Sequence, residues 1–491
     1  MARRLLIVAA VLLVSAAPAR ADLVRLDPRG APLAAEAGGT ALLPELGIWR
    51  VPAAALPRLA RAGVLRYHRR ERLLTTAAAF TPTDPLVPTE WWRAAIGADT
   101  ADPPGPGKPV TVVDSGLDIT HPEFASRPNT ILMNRQTTSE DDEDHGTEVS
   151  SVIAAPNNGV GLVGVYPEAV LRAWDASPFG ILSEGSAIQG IAEAARAGAG
   201  VINLSFGGED EDPLLEDAVM FAYRSGSVVV AAAGNEGLEG SPKGYPAAYP
   251  HVLTVGATTD TGRVASFSTI APTVDLAAPG VHIPVAEPLA QEPSGYTEAP
   301  GTSFSSPLVA GAAAWVWTER PDLDNTQLFE LMRKSAKDIG APGFDDASGY
   351  GLLNIPAALA FRTPLPDVQE PNERPSEIEP HALFPAGTPP LTRPGHATAT
   401  VTAHVDRSED PVDLYRAWAP AREVLHAELT GGVGVRMLRR FGKTNAPLTI
   451  GAHGRAAWRN KGRAGIYVYV EVHPARAREA EYTLRLTAAR R

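Results

Sequence analysis

The sequence predicts an α/β protein built around a doubly wound, mostly parallel β-sheet, and two observations predict it. Short β-branched runs, such as Pro109–Gly116, Ser227–Asn235 and Val252–Thr259, end in small residues or glycine. Helical patterns lie between them, as in Ser183–Gly200 and Pro213–Gly226. This alternation favours a parallel sheet with helices on both faces. In such sheets the functional residues directly follow the carboxyl ends of the strands.

The first 21 residues contain the three parts of a secretory signal peptide in order. Arg3 and Arg4 precede an apolar stretch, Leu5–Val14, and Ala19–Ala21 forms a small-x-small cleavage site. This order favours a signal peptide over residues 1–21, removed after its last residue, rather than a buried N-terminal helix. No later run is long and apolar enough to span a bilayer. We therefore expect a secreted protein without a membrane anchor.

Two breaks in composition divide the rest of the chain. Residues 22–83 are rich in Ala, Arg and Leu and end in a basic run, Arg66–Arg72, before a loose Thr/Pro-rich segment that suits a protease cut. Pro and Glu crowd Phe361–Pro380, and strand-like segments without a clear helix follow. We therefore expect a central domain over residues 84–361, then a linker and small β-sandwich over residues 362–491.

Composition excludes several kinds of site. The 491 residues include no cysteine, which excludes disulfides, thiolate metal sites, a cysteine nucleophile and a lipidated cysteine. The formal net charge is −12, and the acidic side chains concentrate in the central domain. Nucleic acid is therefore not expected as a partner. Basic peptides, or the chain's own basic segments, suit this charge better, although an acidic surface that only maintains solubility would explain it equally.

Four residues in separate segments suit catalysis. Asp114 ends a buried strand, His145 opens a helical pattern, Asn235 follows a strand, and Ser303 lies in GTSFSSP ahead of an apolar run. Each alone has a simpler interpretation as a cap, a metal ligand or a turn residue. Together they indicate a serine hydrolase. Histidine can take the serine proton near neutral pH, a buried carboxylate fixes the histidine tautomer, and an asparagine amide can stabilise an oxyanion.

At these residues the chain resembles the subtilisin-like serine peptidases, or subtilases. The motifs, in the order Asp, His, Ser, are DSG at Asp114–Gly116, HGT at His145–Thr147, AAGN at Ala232–Asn235 and GTSxxSP at Gly301–Pro307. The resemblance extends from about residue 84 to residue 360. It implies a subtilisin-like fold and a secreted bacterial enzyme, extracellular or periplasmic. An α/β-hydrolase esterase is disfavoured, because it needs a G-x-S-x-G motif and the order Ser, Asp, His.

The resemblance implies a role for each matched residue. Asp114 would orient His145, the general base and then acid, while Ser303 would attack the scissile carbonyl. Asn235 and the backbone N–H of Ser303 would form the oxyanion hole. The implied walls of the primary pocket are Ser205, Phe206 and Gly207 on one side and Ala232 to Gly234 on the other. We therefore predict a monomeric serine endopeptidase that cleaves proteins or peptides through an acyl-enzyme, with no cofactor in its chemistry. The alternative is a catalytically silent subtilase that only binds.

The flanking segments also follow from the resemblance. Residues 22–83 would be a small α+β propeptide that assists folding and inhibits the site until a cut between Leu73 and Pro85. Residues 365–491 resemble the bacterial pre-peptidase C-terminal domain, a β-sandwich that aids secretion or attachment, or is trimmed. This second resemblance rests on EPN at Glu370–Asn372, DPVDLYRAWA at Asp410–Ala419 and GIYVYVEV at Gly465–Val472.

Several positions depart from the commonest subtilase pattern. Glu148 stands where many relatives have a second His, Phe304 and Ser305 where Met and Ala are frequent, and Leu308 where His is common. These departures remove no catalytic atom but leave specificity open. We also expect Ser305 and Ser306 to provide turn and cap interactions, Pro307 to occupy an early helical position, and Leu308–Trp317 to form a buried helix.

Two further stretches carry alternative interpretations. Gly159–Gly164 matches the dinucleotide fingerprint but does not follow a strand, so we reject a nucleotide site. The resemblance makes it a loop for structural Ca²⁺, with Asn158, loop carbonyls and Glu123 as oxygen ligands. The acidic run Glu140–Asp144 is either a solvated loop or a wall of the cleft that favours Lys or Arg. Its charge should raise the pKa of the adjacent histidine and move activity to mildly alkaline pH.

Overall fold

The computed structural model describes residues 21–70, 80–136, 145–178, 180–441, 444–452, 454–475 and 477–489. The chain divides into two units, residues 1–79 and 80–491. Three predictions fall mainly outside the described residues: the signal peptide, most of the predicted cleavage segment and the acidic run Glu140–Asp144. Within the described part of the chain, no helix is long and apolar enough to cross a bilayer.

The first unit is a small α+β fold, as the sequence predicts. Its elements are β1 (Ala21–Leu26), α1 (Gly30–Glu36), β2 (Thr40–Leu43), β3 (Ile48–Pro52), α2 (Leu56–Arg61) and β4 (Leu65–Arg70). The strands form one antiparallel sheet in the order β2-β3-β1-β4. Val24 and Val51 of the sheet pack with Leu59 of α2 in a single core.

The second unit begins with the predicted α/β domain. Its elements are α3 (Trp92–Ile96), β5 (Pro109–Asp114), β6 (Thr130–Leu132), α4 (His145–Ala154), β7 (Val170–Asp175), α5 (Glu184–Arg196), β8 (Val201–Leu204), α6 (Pro213–Arg224), β9 (Val228–Ala232), β10 (Val252–Thr258), β11 (Leu276–Pro279), β12 (Ile283–Ala286), β13 (Tyr296–Ala299), α7 (Thr302–Glu319), α8 (Asn325–Lys334) and α9 (Ile355–Ala360). Strands β12 and β13 form a separate antiparallel pair.

The central sheet is doubly wound. Its seven strands are all parallel, in the order β11-β10-β9-β8-β5-β7-β6. Successive residues of β5 point to opposite faces: Val112 packs in the core that contains α4 and α7, and Val113 in the core that contains α5 and α6. Strands are added first on one side of β5 and then on the other. This reversal places a crevice beside the carboxyl end of β5, where Asp114 lies.

Helix α7 is buried along Leu308–Trp317, as the apolar run predicts. Its start differs from the prediction, because the helix begins at Thr302, ahead of the nucleophile candidate. Ser305 and Ser306 are therefore inside the helix and do not cap it. Pro307 is likewise an interior residue rather than part of the first turn.

The C-terminal part is a β-sandwich, as the strand patterns predict. Its elements are α10 (Pro375–Ile378), β14 (Thr398–Asp406), β15 (Asp413–Ala419), β16 (Val424–Thr430), β17 (Val433–Phe441), β18 (Thr444–Ile450), β19 (Arg455–Arg459), β20 (Ile466–Pro474) and β21 (Glu479–Ala489). Two four-stranded antiparallel sheets, β14-β21-β16-β19 and β15-β20-β17-β18, share one core.

A buried ion cluster joins this sandwich to the α/β domain. Arg333 of α8 lies 2.8 Å from Asp275, which precedes β11, and 2.9 Å from Asp406 at the end of β14, and all three side chains are at most 2% exposed. We expect Arg333→Met to lower the free energy of unfolding by about 3–5 kcal/mol, because the buried carboxylate of Asp275 loses its paired cation and that of Asp406 keeps only Arg478, at 3.6 Å. Urea unfolding measures the loss. The control Arg196→Met removes a surface pair and should change the midpoint little, and an equal shift in both variants would contradict the account.

Candidate active site

The fold brings Asp114 and His145 together at the carboxyl edge of the sheet. Asp114 is the last residue of β5 and is 1% exposed, and His145 is the first residue of α4. His145 Nδ1 lies 2.9 Å from Asp114 Oδ1, which also accepts a hydrogen bond from the N–H of Ser115 at 2.8 Å. A carboxylate at Nδ1 favours the tautomer with its proton there, so Nε2 is left as the proton acceptor.

The first turn of α4 is held against the end of β5. The N–H of Gly146 donates to Ser115 Oγ at 2.9 Å. A Cβ at Gly146 would collide with the backbone oxygen of Gly116. The glycine of the HGT motif therefore allows a close backbone approach that sets the position of His145.

Ser303 is fixed to the end of the neighbouring strand β8. Ser303 Oγ donates to the carbonyl of Ser205 at 3.2 Å, and Ser205 Oγ donates to the carbonyl of Ser303 at 2.9 Å. That second bond compensates for Pro307, which lacks the N–H that would bond to the Ser303 carbonyl within the helix. Ser306 Oγ also bonds to Ser205 Oγ at 2.9 Å. The predicted capping serine thus helps to position Ser205.

Asn235 reaches the N-terminus of α7 from the loop after β9. Its Oδ1 accepts hydrogen bonds from the N–H of Thr302 at 2.9 Å and from Thr302 Oγ1 at 3.0 Å. Because a backbone donor occupies Oδ1, the amide orientation is fixed and Nδ2 faces the other way. Asn235 Nδ2 and the N–H of Ser303 are therefore two donors at the start of one helix, where an anion is stabilised.

Three cavities meet at these residues. The first, of about 350 Å³, is lined by Asn235 and Ser303 and by all the predicted pocket residues, Ser205, Phe206, Gly207, Ala232 and Gly234. The second, of about 560 Å³, is bordered by Asp114, His145, Ser205, Ile181 and Leu182. The third, of about 300 Å³, lies between His145 and Ser303 and is also lined by Glu148, Glu287, Ala299, Pro300 and Phe304. The structure thus brings all four candidate catalytic residues to one cleft.

Comparison with known proteins decides the family. A family model described as the subtilase family (Peptidase_S8) matches residues 105–351, which is half of the chain. The chain belongs to the subtilase family. The relatives of this subtilase include subtilisin from Bacillus pumilus, 38% identical over 51% of this chain and 90% of that protein.

The match covers a smaller share of the length of two other relatives. Subtilisin NAT from Bacillus subtilis subsp. natto is 39% identical over 51% of this chain and 65% of its own length. Minor extracellular protease Epr from Bacillus subtilis (strain 168) is 34% identical over 56% of this chain and 41% of its own length. The match thus spans less than two thirds of these two proteins. Among solved structures, a lanthipeptide protease is 23% identical, with a TM-score of 0.48, over 58% of this chain and 99% of that one.

Two departures of this subtilase from the common pattern have structural explanations. The ring of Phe304 is 4% exposed and lies 5.6 Å from that of His145, so it forms an apolar wall of the third cavity. Leu308 is fully buried in the core around α7.

Glu148 lies in the third cavity, where burial and the neighbouring carboxyl of Glu287 raise its pKa to about 8. Sequence reasoning missed Glu287, which lies in no motif and reaches the site only through the fold.

The predicted calcium ligands of the subtilase lie around the loop after α4. Glu123 Oε1 accepts hydrogen bonds from the N–H of Leu162 at 2.8 Å and from the hydroxyl of Tyr296 at 3.0 Å. Its Oε2 is buried without a partner among the described residues, which suits a cation. Asn158 is exposed, and its Oδ1 accepts from the N–H of Val160 at 2.9 Å. The calcium loop therefore stays a prediction.

Proposed function

We propose that this subtilase is a serine endopeptidase. The observation that carries the proposal is the hydrogen bond of 2.9 Å between Asp114 and His145, in a cleft that His145 shares with Ser303 and Asn235. A buried carboxylate, an imidazole, a hydroxyl at a helix start and an oriented amide form one set of groups suited to acyl transfer.

The reaction proceeds in two halves. Ser303 Oγ turns from the Ser205 carbonyl, loses its proton to His145 Nε2 and attacks the scissile carbonyl carbon. Asn235 Nδ2 and the N–H of Ser303 donate to the oxyanion. His145 then gives its proton to the leaving amine, the C–N bond breaks and an acyl-enzyme remains. Water repeats the same steps with His145 as base, which releases the acid and restores Ser303.

Asn235 gives a prediction about the oxyanion. Asn235→Leu should lower kcat by about 10²–10³, the loss measured for the oxyanion asparagine of subtilisin, because one donor to the developing charge is removed. KM should change little, since the ground-state carbonyl carries less charge. Steady-state kinetics on a peptide anilide provide the check. A rise in KM with unchanged kcat would assign Asn235 to substrate binding instead.

Substrates of this subtilase are proteins or peptides. Ser205, Phe206 and Gly207 follow β8 along the first cavity, where their backbone can pair with an extended peptide as an added strand. We further propose secretion after removal of residues 1–21, with residues 22–83 as the inhibitory propeptide of a monomeric enzyme. The sandwich would aid secretion or attachment. One relative, Minor extracellular protease Epr, is named as an extracellular protein, and the likeness to it supports secretion.

A fluorophosphonate tests the proposed chemistry, because it phosphonylates an activated serine. The purified protein is treated with the reagent and the adduct is located by mass spectrometry. We expect one adduct, on Ser303, and no adduct in His145→Ala, since the hydroxyl then lacks its base. An unlabelled wild-type protein, or an adduct that persists without His145, would overturn the proposal.

A further inference from the structure

The third cavity lies on the leaving-group side of the reacting serine. Ser205 begins the segment that pairs with the substrate backbone in the proposed function, and it lines both the first and the second cavity. Those two cavities therefore hold the acyl part of the substrate. The third cavity is lined by His145 and Ser303 but not by Ser205, so it receives the residues that follow the cut. This placement rests on the proposed peptidase function.

Two carboxyl groups meet in the third cavity. Glu148 belongs to α4, and Glu287 directly follows β12. Both residues line the cavity and both are partly buried. Of the described residues that line it, only His145 has a basic side chain. The cavity therefore has an acidic wall without a lysine or an arginine beside it.

A hydrogen-bonded bridge sets the two glutamates side by side. Ser151, three residues after Glu148 on α4, is 1% exposed. Its hydroxyl donates to the carbonyl of Glu148 at 2.6 Å and accepts from the N–H of Ala286 at 2.9 Å. The next residue, Glu287, donates its N–H to the carbonyl of Gly295 at 2.8 Å. Backbone contacts thus hold both glutamates, and the fold itself builds the acidic wall.

The surroundings of Glu148 favour the entry of a cation. Burial, followed by the carboxyl of Glu287, raises the pKa of Glu148 to about 8, whereas His145 acts to lower it and Asp114 acts to raise it. These three are the titratable groups that act on Glu148 from the described elements packed against it. A positive charge that enters the cavity would stabilise the ionised form of Glu148.

The rest of the cavity suits the stem of a long side chain. Ala299, Pro300 and Phe304 supply apolar surface. The side chains of Lys and Arg lay their methylene stems along such surface and keep the charged head in polar surroundings. An apolar wall beside two carboxyl groups therefore matches a basic side chain.

We propose that Glu148 and Glu287 select a basic side chain in the first residue after the cut. The stem of a Lys or Arg lies along Phe304, and its charged head forms charge-assisted hydrogen bonds with the two carboxyl groups. Both glutamates determine specificity, and neither takes part in bond cleavage. The preference strengthens as the pH rises through about 8, because a growing fraction of Glu148 is then ionised.

Peptides that differ only in the residue after the cut test this proposal. Lys is compared with norleucine, which has the same aliphatic stem without the amino group. We expect kcat/KM for the Lys peptide to exceed that for the norleucine peptide about tenfold above pH 8, the low end of what a hydrogen bond to a charged group contributes. The ratio should decrease below that pH. Titration of His145 affects both peptides alike and cancels in the ratio.

Three variants assign the preference to its residues. The ratio should fall towards one in Glu148→Gln and in Glu287→Gln, which keep the shape of each side chain. Glu193→Gln is the matched control, because it removes one carboxylate from the surface of α5, outside the three cavities. It should keep the wild-type ratio. In each variant, kcat/KM for the norleucine peptide verifies that the active site is intact.

The outcomes separate this proposal from the proposed function. A wild-type ratio near one above pH 8 would contradict the preference and keep the peptidase. The proposal also fails if both glutamine variants retain the wild-type ratio. If neither peptide is cleaved and the fluorophosphonate leaves Ser303 unlabelled, the peptidase function itself is overturned.

Discussion

Ser303→Ala is expected to lower kcat by about 10⁶, the loss measured for the nucleophile of subtilisin itself. The substitution removes only the hydroxyl group, and no acyl-enzyme can form without it. The fold should survive, since Ser303 is held through its backbone carbonyl by Ser205 as well as through its Oγ. Steady-state kinetics on a peptide anilide measure the loss, and circular dichroism verifies the fold.

The matched control for that variant is Ser294→Ala, an exposed serine in the turn before β13. It should retain wild-type kcat and KM. A purified Ser303→Ala protein that kept a kcat within about tenfold of the wild-type value would show that another residue is the nucleophile, because the oxyanion hole and binding alone leave only a small residue of catalysis. Peptide binding should persist in Ser303→Ala, because the walls of the first cavity are unchanged.

Asp114→Asn is expected to lower kcat by about 10⁴, the loss seen when the same change is made in another serine peptidase triad. The amide would present an N–H to His145 Nδ1 and favour the tautomer with the proton on Nε2, which cannot accept the proton of Ser303. The side chain keeps its shape, so the fold and KM should change little. The comparison of kcat with KM measures the effect.

Asp118→Asn is the control for the second variant, because Asp118 lies four residues later and its Oδ1 accepts hydrogen bonds from the N–H and the hydroxyl of Thr120 within a turn. It should leave kcat unchanged. An Asp114→Asn protein with near wild-type kcat would mean that the carboxylate does not set the tautomer of His145.

The fold was predictable wherever the local pattern carried the information. The β-branched runs form β5, β9 and β10, and each catalytic candidate ends or follows a strand or lies in the first turn of a helix, as expected of a parallel sheet. The pair β12 and β13 was not predicted, because each strand has only four residues and lies in a segment without clear periodicity. Such short strands depend on their tertiary surroundings.

The start of α7 shows why local signals can mislead. Ser305, Ser306 and Pro307 match the residue preferences of a helix start, yet the helix begins at Thr302. Its interior proline is tolerated because Ser205, from the end of β8, bonds to the carbonyl that Pro307 cannot reach. That partner is remote in sequence, so no local pattern could show it. Glu287 escaped prediction for the same reason.

The most direct test of the account is the intact mass of the protein recovered after secretion, wild type beside Ser303→Ala. We expect the wild type to lose residues 22 to about 83 and Ser303→Ala to retain them, because the assembled site cuts its own chain. If both proteins retain the segment, the site does not process the chain, and a subtilase that binds without catalysis becomes the better description.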